Sequence, residues 1–335
     1  MQHGPRRALF IAMPAPAETS KVITETYHVA SSDPGIQLYV RNKHPEGISQ
    51  FSPDRILLFV HGATFPSEAV FDLPVGGSSW MDYVAQRGWD VYLMDVRGYG
   101  GSTRPPEMNQ PATANPPIVA TDTAIKDVAT VVDHILVRRS VPRINVMGWS
   151  WGTVILGAYT AQNNDKVERL VFYAAQWLRQ TPSLVQVEGA YRSVTMEAAR
   201  QRWLQGVPAD KQKELIPDGW FEAWWKALLE SDPIGAAQTP PVVRAPNGVL
   251  EDLKRYWAAD TRYYDPSRIT VPVLLVQAEW DAETPPYMSQ AVFARLTRPR
   301  LKRYVLIGEG THFVALERNR MQLIREVQSF LEESY

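Results

Sequence analysis

Apolar and polar positions along the chain follow two rhythms. Val22 to Ala30 and Ile36 to Asn42 alternate every second residue, the period of a strand with one face in water. The turn sequence Ser32-Asp33-Pro34-Gly35 joins them and predicts an antiparallel hairpin. Arg55 to Val60 is a continuous apolar run instead, which suits a parallel strand buried on both faces. Further strands are predicted at Asp90 to Met94, Arg143 to Met147, Val167 to Ala175, Val271 to Gln277 and Arg303 to Ile307. Helical spacing lies between them, around Ser78 to Arg87, Thr153 to Gln162 and Ala315 to Leu331, and from Asp122 to Arg138 with Ile125, Val128, Val132 and Ile135 on one face. Strands alternating with helices predict an α/β chain with a doubly wound, largely parallel sheet.

One long stretch breaks the alternation. Between Trp177 and Pro266 no strand pattern appears, and apolar residues recur at helical spacing: Trp220, Trp224 and Leu228; Phe221, Trp225 and Leu229; Leu250, Leu253, Tyr256 and Trp257. A helical block inserted there would sit over the carboxyl ends of the strands, where open α/β sheets bind ligands. Residues 179–266 are therefore read as a helical cap, or lid, inserted in a core made of residues 21–178 and 267–335. Residues 1–20 are read as a flexible leader.

The chemistry centres on Gly148-Trp149-Ser150-Trp151-Gly152, where an apolar strand runs directly into a helix. A serine in such a strand-to-helix turn takes a strained conformation that leaves its Oγ exposed, and the glycines let neighbouring backbone pass close by. Trp151 then opens the helix, so its N–H points toward charge developing on an attacked carbonyl. Serine needs a base, itself oriented by a carboxylate. Of the six histidines, His312 fits: it follows a strand, in the loop Gly308-Glu309-Gly310-Thr311. His3 and His44 fall in leader or loop, His28 in the outer hairpin, His134 within a helix, and His61 in the loop His61-Gly62-Ala63-Thr64, where a hydrogen-bonding role is expected.

The chain resembles the α/β-hydrolase superfamily over residues 21–335, through His61-Gly62, Asp95-x-Arg97-Gly98-x-Gly100, the elbow at Ser150, Asp281 and His312. The resemblance implies an eight-stranded sheet with the cap after the sixth strand, and a Ser150-Asp281-His312 triad. It selects Asp281 over Glu279 and Glu283 because the family's acid precedes a small or polar pair and Thr-Pro. It also implies Ala63 and Trp151 as backbone oxyanion donors. The elbow and the Asp-x-Arg-Gly loop resemble those of prolyl iminopeptidases, whose His-Gly-Gly-Pro-Gly loop is absent. His-Gly-Ala-Thr, Phe71-Asp72-Leu73-Pro74 and Ser79-Trp80-Met81 are similar to bacterial monoalkyl phthalate ester hydrolases.

Composition narrows the rest. With 335 residues, 45% hydrophobic and a net charge of −1, the chain suits a soluble globular enzyme and gives no sign of a nucleic-acid partner. Cysteine is absent, which removes thiolate chemistry, and the histidines lack metal-ligand spacing, so no metal or other cofactor is expected. No run approaches a membrane span. The start, with Arg6-Arg7 before Ala8 to Ala12, imitates a signal peptide too weakly to displace a cytoplasmic reading. From Arg179 to Arg262 there are eleven Lys/Arg and eleven Asp/Glu, which predicts no preference for a charged substrate. Trp149, Trp177, Trp224 and Trp225 are candidate substrate contacts for an apolar or aromatic ester. A peptidase or amidase, a cofactor-free perhydrolase or oxygenase, and a non-catalytic ligand-binding relative are the alternatives.

Overall fold

A computed structural model describes residues 21–180 and 187–334. The leader at 1–20 lies outside the described residues. Ten strands appear among them: β1 (Val22–Ala30), β2 (Gln37–Pro45), β3 (Ile56–Val60), β4 (Asp90–Met94), β5 (Ile144–Trp149), β6 (Val167–Tyr173), β7 (Tyr191–Thr195), β8 (Val242–Pro246), β9 (Val273–Ala278) and β10 (Lys302–Ile307). Eight form one sheet in the order β1-β2-β4-β3-β5-β6-β9-β10. β1 and β2 make the antiparallel hairpin, β2 pairs antiparallel with β4, and the remaining neighbours are parallel.

Period-two geometry divides the central strands between two cores. Ile56, Leu58 and Val60 pack on one face with Val128, Val132 and Ile135 of the helix Thr121–Arg139. Leu57, Phe59 and Met147 pack on the other with Val84, Val327 and Leu331. Every residue of β3, β4 and β5 is buried; β3 accordingly reads as an unbroken apolar run, while β4 and β5 are apolar apart from buried Asp90 and Asn145. The helix Trp80–Ala85 starts on a reciprocal cap, with Ser79 Oγ accepting from Asp82 N–H and the Asp82 carboxylate accepting from Ser79 N–H.

Two expectations need correction. The stretch after β6 is not wholly helical: β7 and β8 pair antiparallel as a separate two-stranded sheet, beside the helices Met196–Trp203, Trp220–Ser231 and Gly248–Arg255. Buried β8 carries Arg244 in its middle, neutralised by Asp232 at 2.6 Å, so it has no apolar run to betray it. The final helix spans Arg320–Glu332 and does not begin at Ala315, because a 3-10 turn at Val314–Leu316 precedes it. After that turn, the Glu317 carboxylate faces inward and accepts from Thr311 N–H at 3.0 Å and from Trp203 Nε1–H at 2.8 Å.

An aromatic cluster joins this inserted segment to the sheet. Trp224 lies 4.9 Å from Trp203, 4.8 Å from Phe65 and 5.8 Å from Phe313, ring centre to ring centre. Trp203 stacks on Phe313 at 4.8 Å. Phe313 directly follows His312, so burial of cap tryptophans also locates the histidine loop.

Candidate active site

Ser150, Asp281 and His312 all follow the carboxyl ends of parallel strands, after β5, β9 and β10 respectively. Ser150 has φ 54° and ψ −117°, a region that few non-glycine residues occupy. Close packing enforces the turn. A Cβ on Gly148 would lie 2.3 Å from Gly152 O, and one on Gly152 would lie 2.6 Å from Val60 O, so side chains at either position would push the elbow away from its neighbours.

The histidine is held from three sides. Its Nδ1 lies 2.8 Å from Asp281 Oδ2, while its backbone carbonyl accepts from Trp149 Nε1–H at 3.0 Å and from Tyr173 O–H at 2.7 Å. The Trp149 ring lies 5.2 Å from the imidazole. Asp281 is itself fixed: Oδ1 accepts from the N–H groups of Glu283 and Thr284, and Oδ2 from Gln277 Nε2–H and Thr284 Oγ1–H. With Nδ1–H directed at Asp281, His312 presents a bare Nε2, which has no hydrogen-bond partner among the described residues. Ser150 Oγ and His312 Nε2 make no hydrogen bond to each other. Glu283 Oε2 lies 3.7 Å from the same Nε2. Burial works against a charged imidazole, but Asp281 and Glu283 outweigh it and raise the His312 pKa.

Beside Ser150 two backbone donors are free. Among the described residues neither Ala63 N–H nor Trp151 N–H has a partner in the protein, and both residues border the same cavity as Ser150. His61 shapes this loop. Val96 N–H donates to its Nε2 at 3.0 Å, so Nδ1 carries the proton and donates to Gly62 O at 2.6 Å. Burial pushes the His61 pKa down to about 4, which keeps it neutral. The Asp95-Val96-Arg97 loop therefore supports the His61-Gly62-Ala63-Thr64 loop. Arg97 is engaged with Asp127 and, at 2.7 Å, with Asp33.

The cavity holds about 290 Å³. Val249, Leu250, Leu253 and Trp257 give it an apolar wall, and Arg179, Arg192 and Arg202 line it together with one carboxylate, Glu283. Glu283 is already taken by Arg202, whose Nε–H donates to Oε1 at 2.6 Å and whose Nη2–H donates to Oε2. Arg192 donates to Pro246 O, Asn247 Oδ1 and Thr64 Oγ1, all uncharged acceptors. Arg179 Nε has no partner among the described residues. The balanced charge of the cap as a whole therefore hides a locally cationic cavity. Sequence reasoning missed this, because single arginines in a helix or short strand carry no pattern.

The four tryptophans named as substrate contacts do not line this cavity, a further correction. Trp149 supports His312 from below. Trp224 and Trp225 are buried in the core cluster, and Trp177 packs edge-on against Tyr264 at 5.5 Å. Trp151 and Trp257 reach the cavity instead. A larger depression of about 760 Å³, bordered by Lys126, Gln162 and Arg262, includes neither Ser150 nor any other nucleophile beside a base. Among the described residues, no cluster of histidine and acidic side chains is arranged to hold a metal ion, and no helix is long and apolar enough to cross a membrane.

Comparison with known proteins agrees with this architecture. No curated protein matches the chain in sequence. Solved structures match it in fold over most of its length. A thermophilic esterase from Thermogutta terrifontis is 16% identical with a TM-score of 0.56, covering 92% of this chain and all of its own. A bromoperoxidase from Bacillus anthracis is 15% identical with a TM-score of 0.63 and the same coverages. An N-acyl homoserine lactone degrading enzyme is 17% identical with a TM-score of 0.60, covering 91% of this chain and all of its own. The family profile described as alpha/beta hydrolase fold matches residues 55–319, from the start of β3 to just beyond His312. Strand order, elbow and profile converge, and the chain belongs to the α/β-hydrolase fold family.

Proposed function

We propose that this hydrolase cleaves carboxylic esters through an acyl-enzyme on Ser150. The observation that carries the reading is the buried chain from Asp281 to His312 at the strand ends, next to a strained serine and two unpartnered N–H groups. His312 Nε2 takes the Ser150 proton as Oγ bonds to the carbonyl carbon, and the oxyanion meets the N–H groups of Ala63 and Trp151. Collapse breaks the bond to the alcohol, which leaves with that proton. Water, deprotonated by the same nitrogen, then attacks the acyl-enzyme and releases the acid.

The base must be neutral to work. Because the His312 pKa is raised, kcat/KM should climb through a pKa above 6.5 and fall away below it. Glu283→Gln removes one of the charges that raise it and leaves Arg202 unpaired, so the rising limb should move to lower pH. A limb that stays in place or moves upward counts against His312 as the titrating base.

The cavity supports an ester with an apolar portion for the Leu250 and Trp257 wall and a negative group for the arginines. This departs from the neutral ester expected from the cap's overall composition. It also weighs against a peptidase that binds a free ammonium, because the lining carboxylate is already neutralised by Arg202. A half-ester of a dicarboxylic acid should exceed its uncharged counterpart in kcat/KM by about tenfold or more, with an advantage that shrinks as salt is added. Equal rates would remove the anionic preference and leave the esterase reading intact. Hydrolysis of p-nitrophenyl butyrate, blocked by a serine-directed phosphonate, tests the reading itself. A single burst without turnover favours a non-catalytic binding protein, and peroxide-dependent activity alone favours a perhydrolase.

A further inference from the structure

Thr64 follows Ala63 in the oxyanion loop and has φ 88°. This is the left-handed side of the map, where a β-branched residue is a genuine outlier that persists only when its surroundings over-determine it. Those surroundings come from the cap. Arg192 on β7 donates from Nη2 to Thr64 Oγ1 at 2.5 Å, and Arg202 on the helix Met196–Trp203 donates from Nη1 to the same oxygen at 3.0 Å. Both are charge-assisted bonds to a buried hydroxyl, and together they occupy both of its lone pairs.

Each guanidinium is anchored in turn. Arg192 Nη1 donates to Pro246 O on β8 at 2.6 Å, and Arg202 grips Glu283 with its other two nitrogens. A single cap side chain therefore touches both the oxyanion loop and the loop that carries Asp281. On the opposite side of Ala63, His61 fixes the Gly62 carbonyl. The Ala63 N–H belongs to the Gly62–Ala63 peptide, whose carbonyl His61 holds, and the φ of Thr64 sets the tilt of the adjoining Ala63–Thr64 peptide, so the Ala63 backbone is clamped on both sides.

We propose that Arg192 and Arg202 are positioning residues of the reaction, holding Thr64, and through it the Ala63 N–H, in the conformation that receives the oxyanion. The inference rests on the acyl-enzyme reading above. It makes the inserted segment part of the catalytic geometry as well as a cover for the site. Its loss would impair turnover even of esters too small to touch the cap.

The test uses steady-state kinetics on p-nitrophenyl butyrate, an uncharged ester that gains nothing from the positive cavity. Thr64→Val removes the acceptor at nearly constant shape. Arg202→Lys keeps the charge but cannot reach Glu283 and Thr64 together, and Arg192→Lys likewise loses the fork. Thr64→Val and the double lysine variant should each lower kcat about tenfold or more, with KM within about threefold, because a misplaced oxyanion donor weakens the transition state and leaves ground-state binding alone. Thr64→Ser, which restores the acceptor, should recover most of the lost kcat. Thr64→Val added to the double lysine variant should cost little more, since both break the same contact. If wild type turns over and Ser150→Ala is dead, yet Thr64→Val and the double lysine variant keep kcat within twofold, the clamp is refuted and the esterase reading stands. Additive losses also refute it. If Ser150→Ala retains activity, the esterase reading itself has failed. Should Thr64→Val not fold, the two lysine variants and Thr64→Ser decide the question alone.

Discussion

Ser150→Ala should remove nearly all ester hydrolysis while changing the unfolding free energy by no more than about 1 kcal/mol. The two halves of this expectation have separate causes. Oγ is the atom that would bond the substrate, so without it only binding and the two N–H donors remain, and these cannot form an acyl-enzyme. The turn itself does not depend on that oxygen. Ser150 N–H donates to Tyr173 O at 2.9 Å, Thr153 Oγ1–H donates to Ser150 O at 2.5 Å, and the glycines on either side keep their close approaches. Alanine tolerates φ 54° about as poorly as serine, so strain is neither added nor removed. Kinetics with p-nitrophenyl butyrate and a urea melt on the same preparation check both halves. Retention of more than a few per cent of kcat would mean that another nucleophile acts.

Asp281→Asn should be nearly as severe, lowering kcat by roughly 10³- to 10⁴-fold, the effect of trapping a catalytic histidine in the wrong tautomer. The hydrogen bonds dictate this outcome. Oδ1 accepts two backbone N–H groups, from Glu283 and Thr284, at 3.0 and 2.9 Å, so an asparagine must place its own carbonyl oxygen there. Its NH₂ group then takes the place of Oδ2 and faces His312 Nδ1. A donor opposite Nδ1 forces the imidazole to accept at Nδ1 and carry its proton on Nε2, and such a ring cannot take a proton from serine. The same NH₂ also meets Gln277 Nε2–H, donor against donor, so some loss of melting temperature should accompany the loss of rate. Glu283→Gln should cost at most about tenfold, because Glu283 acts on His312 through charge at 3.7 Å and holds no proton donor of the ring. If Glu283→Gln proves the more damaging of the two, the acid has been assigned to the wrong carboxylate.

Asp281 shows where sequence reading reached its limit. Three carboxylates lie between Glu279 and Glu283, and residue chemistry alone leaves all three open; resemblance to a family chose among them. Folding separates their roles. Asp281 accepts five hydrogen bonds and faces Nδ1, Glu283 pairs with Arg202, and Glu279 accepts from Glu309 N–H near the surface. His312 was easier to find, because a histidine in a glycine-rich loop after a buried strand is a local feature. The tryptophans misled for the complementary reason. Helical spacing correctly marks Trp224 and Trp225 as facing an apolar surface, but the same stripe results whether that surface is a ligand or a core. Here it is the ring cluster around Phe313.

By itself, then, the sequence determined the elements that obey a local period: the outer hairpin, the buried parallel strands, the amphipathic helices between them, and the glycine-flanked serine at a strand-to-helix junction. Each follows from backbone geometry and the burial of one face or two, which neighbouring residues encode together. Only the tertiary structure decided which distant surfaces meet. β7 pairs with β8 across some fifty intervening residues. Arg192 and Arg202 reach Thr64 from 128 and 138 residues away along the chain. Net charge counted along the cap cancels, while the fold turns Arg179, Arg192 and Arg202 inward at the cavity and ties the lining carboxylate to one of them. Burial is a property that a short segment can announce, whereas the identity of the group it is buried against depends on the path of the whole chain.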